Sequence, residues 1–476
     1  MGQGVVIEKD NANGSNVIVN KNPATDEVIS KVPCSSTAEL DALLETAQTA
    51  QPAWALLDVA KRIQLLKDGM AELAKLHKEE LPPLMTREMG KPLSEAQEEV
   101  DEALEKDEFL QLLQDSLQPK QHNSCLVVRQ AVGVVVVLSP WNFPVDEILY
   151  LLLPALGSGN TAIVKPSEVT PETGAKVVSA LASVLPPGVV QLAQGDGAVG
   201  AYLVSHPTVD MVCMTGSSAT GKNILGSAAP SMKRFVLELG GKDPMVVLED
   251  ADLNKAAKDA ATYSLSNTGQ VCCSVERIYV AQSVYDPFCD LVTKYTRDNF
   301  KVGNGMDEGV NVGPLVSTMQ RDIVAKQVDD AVQKGAKVLY KSPIPEEKPG
   351  SFYPVTVVAD ITKGMDIYTQ ETFGPVVALM PFDGTETEAI RLANDTEYGL
   401  SGAVYSQDVP KAQRIAAQIQ AGQVGINCYA LECMDVACPW VGFKSSGYNY
   451  HSGVEGFHNF SLPKSLVFVP PPEEED

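Results

Sequence analysis

Basic side chains are scarce in this chain: 37 Lys and Arg stand against 61 Asp and Glu, a formal net charge of −24. Nucleic acids and anionic membrane surfaces are met by basic faces, so this deficit excludes both as partners. Cysteine is sparse too. Nine in 476 residues are too few for a disulfide scaffold, and the odd count leaves at least one unpaired. Five histidines without a paired spacing offer no zinc set beside Cys428, Cys433 and Cys438, and no metal is expected. Long apolar runs are missing: residues 134–138 and 148–153 fall far short of the ~20 a membrane span needs. Residues 1–20 lack the basic start and apolar stretch of a secretory signal, and Val6 stands where a myristoylation site after Gly2 needs Ser or Thr. Residues 470–476 read as an extended acidic tail. With 44% hydrophobic residues the chain is too apolar to be disordered. What remains is a cytoplasmic-type globular enzyme of about three domains, or two large ones.

From Ser36 to about residue 117 the text is helical. Ser36 and Glu39 form a capping box, and Leu40, Leu43, Leu44 and Ala47 recur at three- and four-residue spacing. Lys91-Pro92 interrupts, and one acid-rich helix is expected over 94–114. From Cys125 the grammar changes. Strand-like runs at 126–129, 133–138, 162–165, 189–193 and 211–215 alternate with helical text, one helix opening at Thr170-Pro171-Glu172. A second alternating region runs from 235 to about 441. Such alternation predicts an α/β fold with parallel sheets covered on both faces.

Two phosphate-loop patterns lie close together. The run from Gly195 to Gly200 is a GxGxxG between strand and helix, equally a dinucleotide turn or a plain connection, and Asp210 follows too early for the ribose acid. The run from Gly216 to Lys222 imitates a P-loop, but Asn223 occupies the position where Ser or Thr would ligate magnesium. Its glycine and small hydroxyls at a helix start still present N–H groups to a phosphate. Cys272-Cys273 are either a buried pair of small apolar groups or, after the polar loop 267–271, a thiol open to substrate. Glu238, alone among apolar neighbours, is either an ion-pair partner of Lys233 or Lys242, or a carboxyl whose pKa burial raises toward general-base use.

Taken together, Pro140-Trp141-Asn142-Phe143-Pro144, Val164-Lys165-Pro166-Ser167-Glu168, Thr215-Gly216-Ser217 with Gly221, Leu237-Glu238-Leu239-Gly240-Gly241-Lys242, Gly269-Gln270-Val271-Cys272 with Arg277, and Glu371-Thr372-Phe373-Gly374-Pro375 resemble the aldehyde dehydrogenase superfamily. The motifs keep that family's order and cover almost the whole chain. The resemblance implies a Rossmann-type nucleotide-binding domain (1–116 and 135–240), an α/β catalytic domain (241–454), and a β oligomerisation arm and tail (117–134 and 455–476). It implies that Cys272 attacks the aldehyde, that Asn142 with the Cys272 N–H forms an oxyanion hole, and that Glu238 activates the hydrolytic water. Trp141, Lys165, Ser167, Glu168, Gly216, Ser217, Gly221, Leu239, Glu371 and Phe373 are the implied contacts of NAD or NADP. Glu168 suits a free 2′-hydroxyl and makes NAD the favoured cofactor, and Glu238 favours release by water over release by coenzyme A. The 195–200 turn becomes scaffold, and a homodimer or homotetramer is expected.

The chain also departs from the pattern. Val441 replaces a glycine, Gly447-Tyr448-Asn449-Tyr450-His451 stands where Gly-x-Gly-Arg-Glu is common, and Glu147 and Leu151 take positions usually apolar and basic. Phe143, Glu147 and Tyr150, with Asp146, suggest a cationic amino- or betaine-type aldehyde, since carboxylates and aromatic faces attract ammonium groups. The alternative is that these acids merely share in the overall acidity or face solvent. A semialdehyde, a general aliphatic aldehyde and an inactive scaffold are the alternatives, although Cys272, Glu238 and Asn142 are all present.

Overall fold

The computed structural model describes residues 6–9, 16–345 and 350–468; the acidic tail and Gly2 lie outside them. The helical text resolves into five helices, Thr37–Ala55, Val59–His77, Leu81–Met89, Leu93–Leu104 and Asp107–Ser116. Ser36 caps the first, its hydroxyl accepting from the Glu39 N–H at 3.3 Å while the Glu39 carboxylate accepts from the Ser36 N–H at 2.7 Å. The acid-rich stretch is not one helix. It breaks at Glu105-Lys106, because the Lys106 ammonium turns inward to Asp146 at 2.7 Å. Asp107 and Glu108 then open the next helix, where negative charge complements the helix dipole.

The alternating text builds two large sheets. In the first, the order is Gly447–Tyr448, Arg234–Glu238, Met211–Thr215, Val134–Leu138, Thr161–Lys165 and Val190–Leu192. All its pairings are parallel except that of Gly447–Tyr448. From Val134–Leu138 the chain winds outward one way through two strands, then crosses to Met211–Thr215 on the other side. That reversal leaves a crevice at the carboxyl ends of the strands, the place where open α/β sheets bind ligands. Val135 and Val137 pack into one layer, Val134 and Val136 into the opposite one. Burial on both faces explains the unbroken β-branched run. Each such side chain contributes about 1.5–3 kcal/mol.

The second sheet runs Lys337–Lys341, Thr356–Ala359, Val376–Phe382, Val275–Ala281, Asp243–Val247, Ser401–Tyr405 and Gln423–Ile426. Only the Lys337–Lys341 edge is antiparallel. In a third sheet Cys125–Ala131 pairs with Ser461–Val467 on one side and with Lys120–His122 on the other. Phe457, near the end of the chain, packs edge-on against Phe109 at 4.8 Å in the core under the first sheet.

Candidate active site

Four strands of the first sheet end in the sequence motifs. Leu138 leads into Ser139, Pro140, Trp141 and Asn142; Lys165, Thr215 with Gly216, and Glu238 end their own strands. These residues line a groove of about 580 Å³ together with Ser167, Glu168, Ser217, Glu371, Phe373 and Cys272. One end is polar: the Lys165 ammonium donates to the Pro166 carbonyl at 2.9 Å and lies 3.3 Å from the Glu168 carboxylate. In the middle, Ser217 caps the helix Ser218–Ala228, its hydroxyl accepting from the Thr220 N–H at 3.3 Å. The start of that helix borders the groove, so its free N–H groups and positive dipole end suit a pyrophosphate. Lys222, the P-loop imitation, points instead to Glu397 at 3.4 Å. Gly197 and Gly200 border the groove as well. Gly221 and Leu239 pack on each other instead: a Cβ on Gly221 would stand 2.7 Å from Leu239.

The other end of the groove closes on Cys272, Asn142, Glu238, Glu371 and Phe373. Motifs meet there at two close approaches to glycine backbone. Gly269 has φ +71°, and a Cβ on it would fall 2.1 Å from the Gly374 carbonyl. A Cβ on Gly240 would fall 2.5 Å from the Glu371 carboxylate, which accepts from the Gly241 N–H at 3.0 Å. The Asn142 amide donates to the Gln270 carbonyl at 3.2 Å, and the Asn142 carbonyl accepts from the Asn267 amide at 3.1 Å, so the loop before Cys272 is tied to the turn after Trp141.

The electrostatics of this end are acidic. Glu238 is not an ion-pair partner of either lysine. Lys242 bonds Glu276 at 2.6 Å, and Lys233 donates to the carbonyls of His206 and Val209 at 2.6 and 2.5 Å. Burial, and then the charge of Glu147, holds the Glu238 carboxyl well above its ordinary range. The Cys272 thiol lies against this carboxyl and is itself held up by its hydrogen bond with Cys273, by burial and by the charge of Glu238. Burial pushes Glu371 up to about 8. At neutral pH the resting site therefore holds a neutral thiol beside carboxyls that carry protons easily.

The sequence matches the aldehyde dehydrogenase family over residues 10–466. The chain belongs to the aldehyde dehydrogenase family. It is an oxidoreductase of that family, which uses NAD(P)+, and the polar and glycine-lined groove fits a dinucleotide. It is 36% identical to a chloroplastic aminoaldehyde dehydrogenase of Arabidopsis thaliana, the match covering 94% of this chain and 91% of that one. With a chloroplastic betaine aldehyde dehydrogenase of Amaranthus hypochondriacus it shares 35% over the same proportions. Among solved structures it resembles aldehyde dehydrogenase C of Pseudomonas syringae in complex with NAD+ and octanal, at TM-score 0.90 and 31% identity, covering 99% of this chain and 98% of that one. A succinate-semialdehyde dehydrogenase of Burkholderia pseudomallei matches at TM-score 0.91 and 31% identity, over 99% and 98%.

The dehydrogenase fold brings further residues to the site that the motifs did not reveal. The Glu276 carboxylate accepts from the N–H groups of Thr372 and Phe373 at 2.8 and 2.9 Å while bonding Lys242, and so holds the segment that carries Glu371. Gln320 donates to the carbonyls of Thr372 and Phe373 at 3.0 and 3.1 Å and borders the groove. Phe373 meets Trp141 edge-on at 5.6 Å. Only the position of Glu276 beside Arg277 in its motif hinted at a role; Gln320 belongs to no motif.

Phe143, Glu147 and Tyr150 do not line the groove, and their surroundings differ from the sequence expectation. The Lys91 ammonium sits 3.7 Å from the Phe143 ring centre, and Lys106 sits 4.3 Å from that of Tyr150 while pairing with Asp146. The basic groups absent from the 141–150 segment arrive from the connections on either side of the helix Leu93–Leu104. Glu147 is different: its carboxylate accepts from the Thr215 hydroxyl at 2.8 Å.

Proposed function

We propose that this enzyme oxidises an aldehyde to its carboxylic acid through covalent catalysis at Cys272, with release by water. The observation that carries the reading is the convergence of Cys272, Asn142 and Glu238 at one end of the dinucleotide groove. The Cys272 thiol gives its proton to the Glu238 carboxylate, which passes it on to solvent before the hydrolytic step. The sulfur adds to the aldehyde carbon, and the Asn142 amide with the Cys272 N–H stabilises the oxygen that becomes negative. The bound cofactor supplies the two-electron oxidation that turns this adduct into a thioester. Glu238 takes a proton from water, the hydroxyl bonds to the thioester carbon, and the carbon–sulfur bond breaks to return the thiolate. Adding an aldehyde panel with NAD+ or NADP+ to the purified protein should produce the absorbance of the reduced nicotinamide. Full turnover by Cys272→Ala would end the nucleophile assignment.

A cationic amino- or betaine-type aldehyde is the favoured substrate. It is supported by the names of the relatives of Arabidopsis and Amaranthus. A second reading, an anionic semialdehyde, is favoured by the likeness to the succinate-semialdehyde dehydrogenase of Burkholderia pseudomallei. Values of kcat/KM for 4-aminobutanal, betaine aldehyde, succinic semialdehyde and octanal separate the two.

NAD is the proposed cofactor over NADP, on the strength of Glu168 in the groove. The proposed oligomer is a homodimer or homotetramer, formed through the edge strand Ser461–Val467, where Val467 is 73% exposed; light scattering tests it. No helix among the described residues is long and apolar enough to cross a membrane. A cytoplasmic, reducing location is supported by the thiol chemistry at Cys272 and is tested by localising a tagged protein.

A further inference from the structure

Glu147, on the helix Asp146–Gly157, reaches Thr215 at the end of the strand Met211–Thr215, and Glu238 ends the neighbouring strand Arg234–Glu238. Thr215 provides the link. It stands directly opposite Glu238 in the parallel register, and its hydroxyl donates to Glu147. The cations nearby are already engaged. Lys91 pairs with Glu99 in the helix Leu93–Leu104, and Lys106 pairs with Asp146. Glu147 therefore keeps one neutral donor. Glu238 likewise has, beside the Cys272 thiol, only one weak donor among the described residues, the Trp440 indole N–H at 3.4 Å, and its second oxygen is buried without a hydrogen-bond partner.

Two enclosed carboxyls with no cation to divide between them do not both ionise. We propose that Glu147 and Glu238 form a carboxyl pair sharing one proton, in which Glu147 is a positioning residue that sets the ionisation of the general base. This rests on the reading of Glu238 as that base. The other groups facing the pair are Asp146, Glu99 and Lys106 around Glu147, and Cys272 and Glu371 around Glu238. Burial lifts Glu147 to about 7, close enough to working pH for it to trade the proton. When Glu238 is charged and ready to accept from water, Glu147 holds the shared proton. When Glu238 has taken the water's proton, Glu147 is the member free to ionise.

The test is the pH profile of kcat, measured together with the pre-steady-state burst of reduced nicotinamide. Glu147→Gln keeps an acceptor for the Thr215 hydroxyl and removes the charge. Its acid limb should move down by about one pH unit, roughly tenfold more activity relative to its plateau at a pH below the wild-type limb. Glu147→Asp restores a carboxyl and should move the limb back toward wild type. An unmoved limb in Glu147→Gln overturns the pair, and so does an Asp variant that behaves like Gln. Should Glu147→Gln not fold, Thr215→Val tests the same point: without its donor Glu147 stays protonated to higher pH, and the limb again moves down or the pair is refuted. Glu238→Gln separates the two failures. If it turns over normally, the base assignment falls and the pair with it. If it stops after the burst while Glu147→Gln keeps the wild-type limb, only the pair falls.

Discussion

The Trp440 indole N–H donates to the Glu238 carboxylate at 3.4 Å across 202 positions of sequence. It is the one hydrogen bond to the proposed base from a group other than the thiol among the described residues, and it favours the charged form. Trp440→Phe removes the donor and keeps an aromatic ring. A hydrogen bond of this kind contributes about 0.5–1.5 kcal/mol, so the Glu238 pKa should rise by up to about one unit. The base works as a carboxylate, so the acid limb of kcat moves to higher pH, opposite to the shift expected for Glu147→Gln. Steady-state rates from pH 5 to 9 check it.

Glu276 bonds the buried Lys242 ammonium and two N–H groups of the 372–373 segment. Glu276→Gln leaves the ammonium without its counter-charge, a change that costs about 3–5 kcal/mol in buried pairs. The melting temperature should fall by several degrees. KM for the cofactor should rise at the same time, because the segment carrying Glu371 and Phe373 loosens. Calorimetry and cofactor titration measure the two effects separately.

Glu168 lies beside Lys165 at the polar end of the groove. Its carboxylate repels a 2′-phosphate, whereas Lys165 attracts one. Glu168→Gln should raise kcat/KM for NADP+ and lower or preserve that for NAD+, narrowing the preference by about tenfold or less, the scale of one partly exposed charge. Kinetics with both cofactors at fixed aldehyde decide it.

Lys106 occupies the face of Tyr150 and neutralises Asp146. Lys106→Met frees the ring and the acid together. If the substrate is a cationic aldehyde, its kcat/KM should rise relative to that of octanal, while a semialdehyde should lose its advantage. Comparing three aldehydes on the variant and the parent measures this.

The parts of the site that could be read in the sequence are those held in contiguous motifs. Cys272 after its glycine loop, Glu238 at a strand end, Asn142 after Trp141 and the Ser36 cap all depend on neighbours within a few positions. The Lys106–Asp146 pair, the Lys91–Phe143 contact and the Trp440–Glu238 bond join residues 40 or more apart and have no local signature. That is why no local feature marks the helix break at residues 105–106 or the lysines that cover the 141–150 segment. The antiparallel edge Gly447–Tyr448 was hidden for the same reason. Two residues carry no periodicity, and their partner Arg234–Glu238 lies more than 200 positions earlier.

The buried carboxyls also set how stability varies with pH. Burial raises Asp243 to about 8 and Glu371 to about 8, far above their values in an unfolded chain. Above pH 4.5 the unfolded chain has released these protons while the folded chain retains them, so the folded state binds more. Stability then falls as pH rises, and the fall continues until the folded groups ionise near pH 8. His451 works oppositely, since burial lowers it to about 3, but its contribution is complete once pH passes the ordinary value of 6.5. Between pH 6.5 and 8 the carboxyls dominate, and the melting temperature of the cofactor-free enzyme should decline across that window. Asp243 accepts from the Ser401 N–H at 3.0 Å and from the Ser401 hydroxyl at 2.6 Å through a single oxygen. Asp243→Asn keeps that acceptor and removes the titration, so it should flatten the decline while leaving the melting temperature at pH 6 nearly unchanged. A thermal series at half-unit steps measures both slopes, and equal slopes in parent and variant would show that Asp243 ionises as freely folded as unfolded.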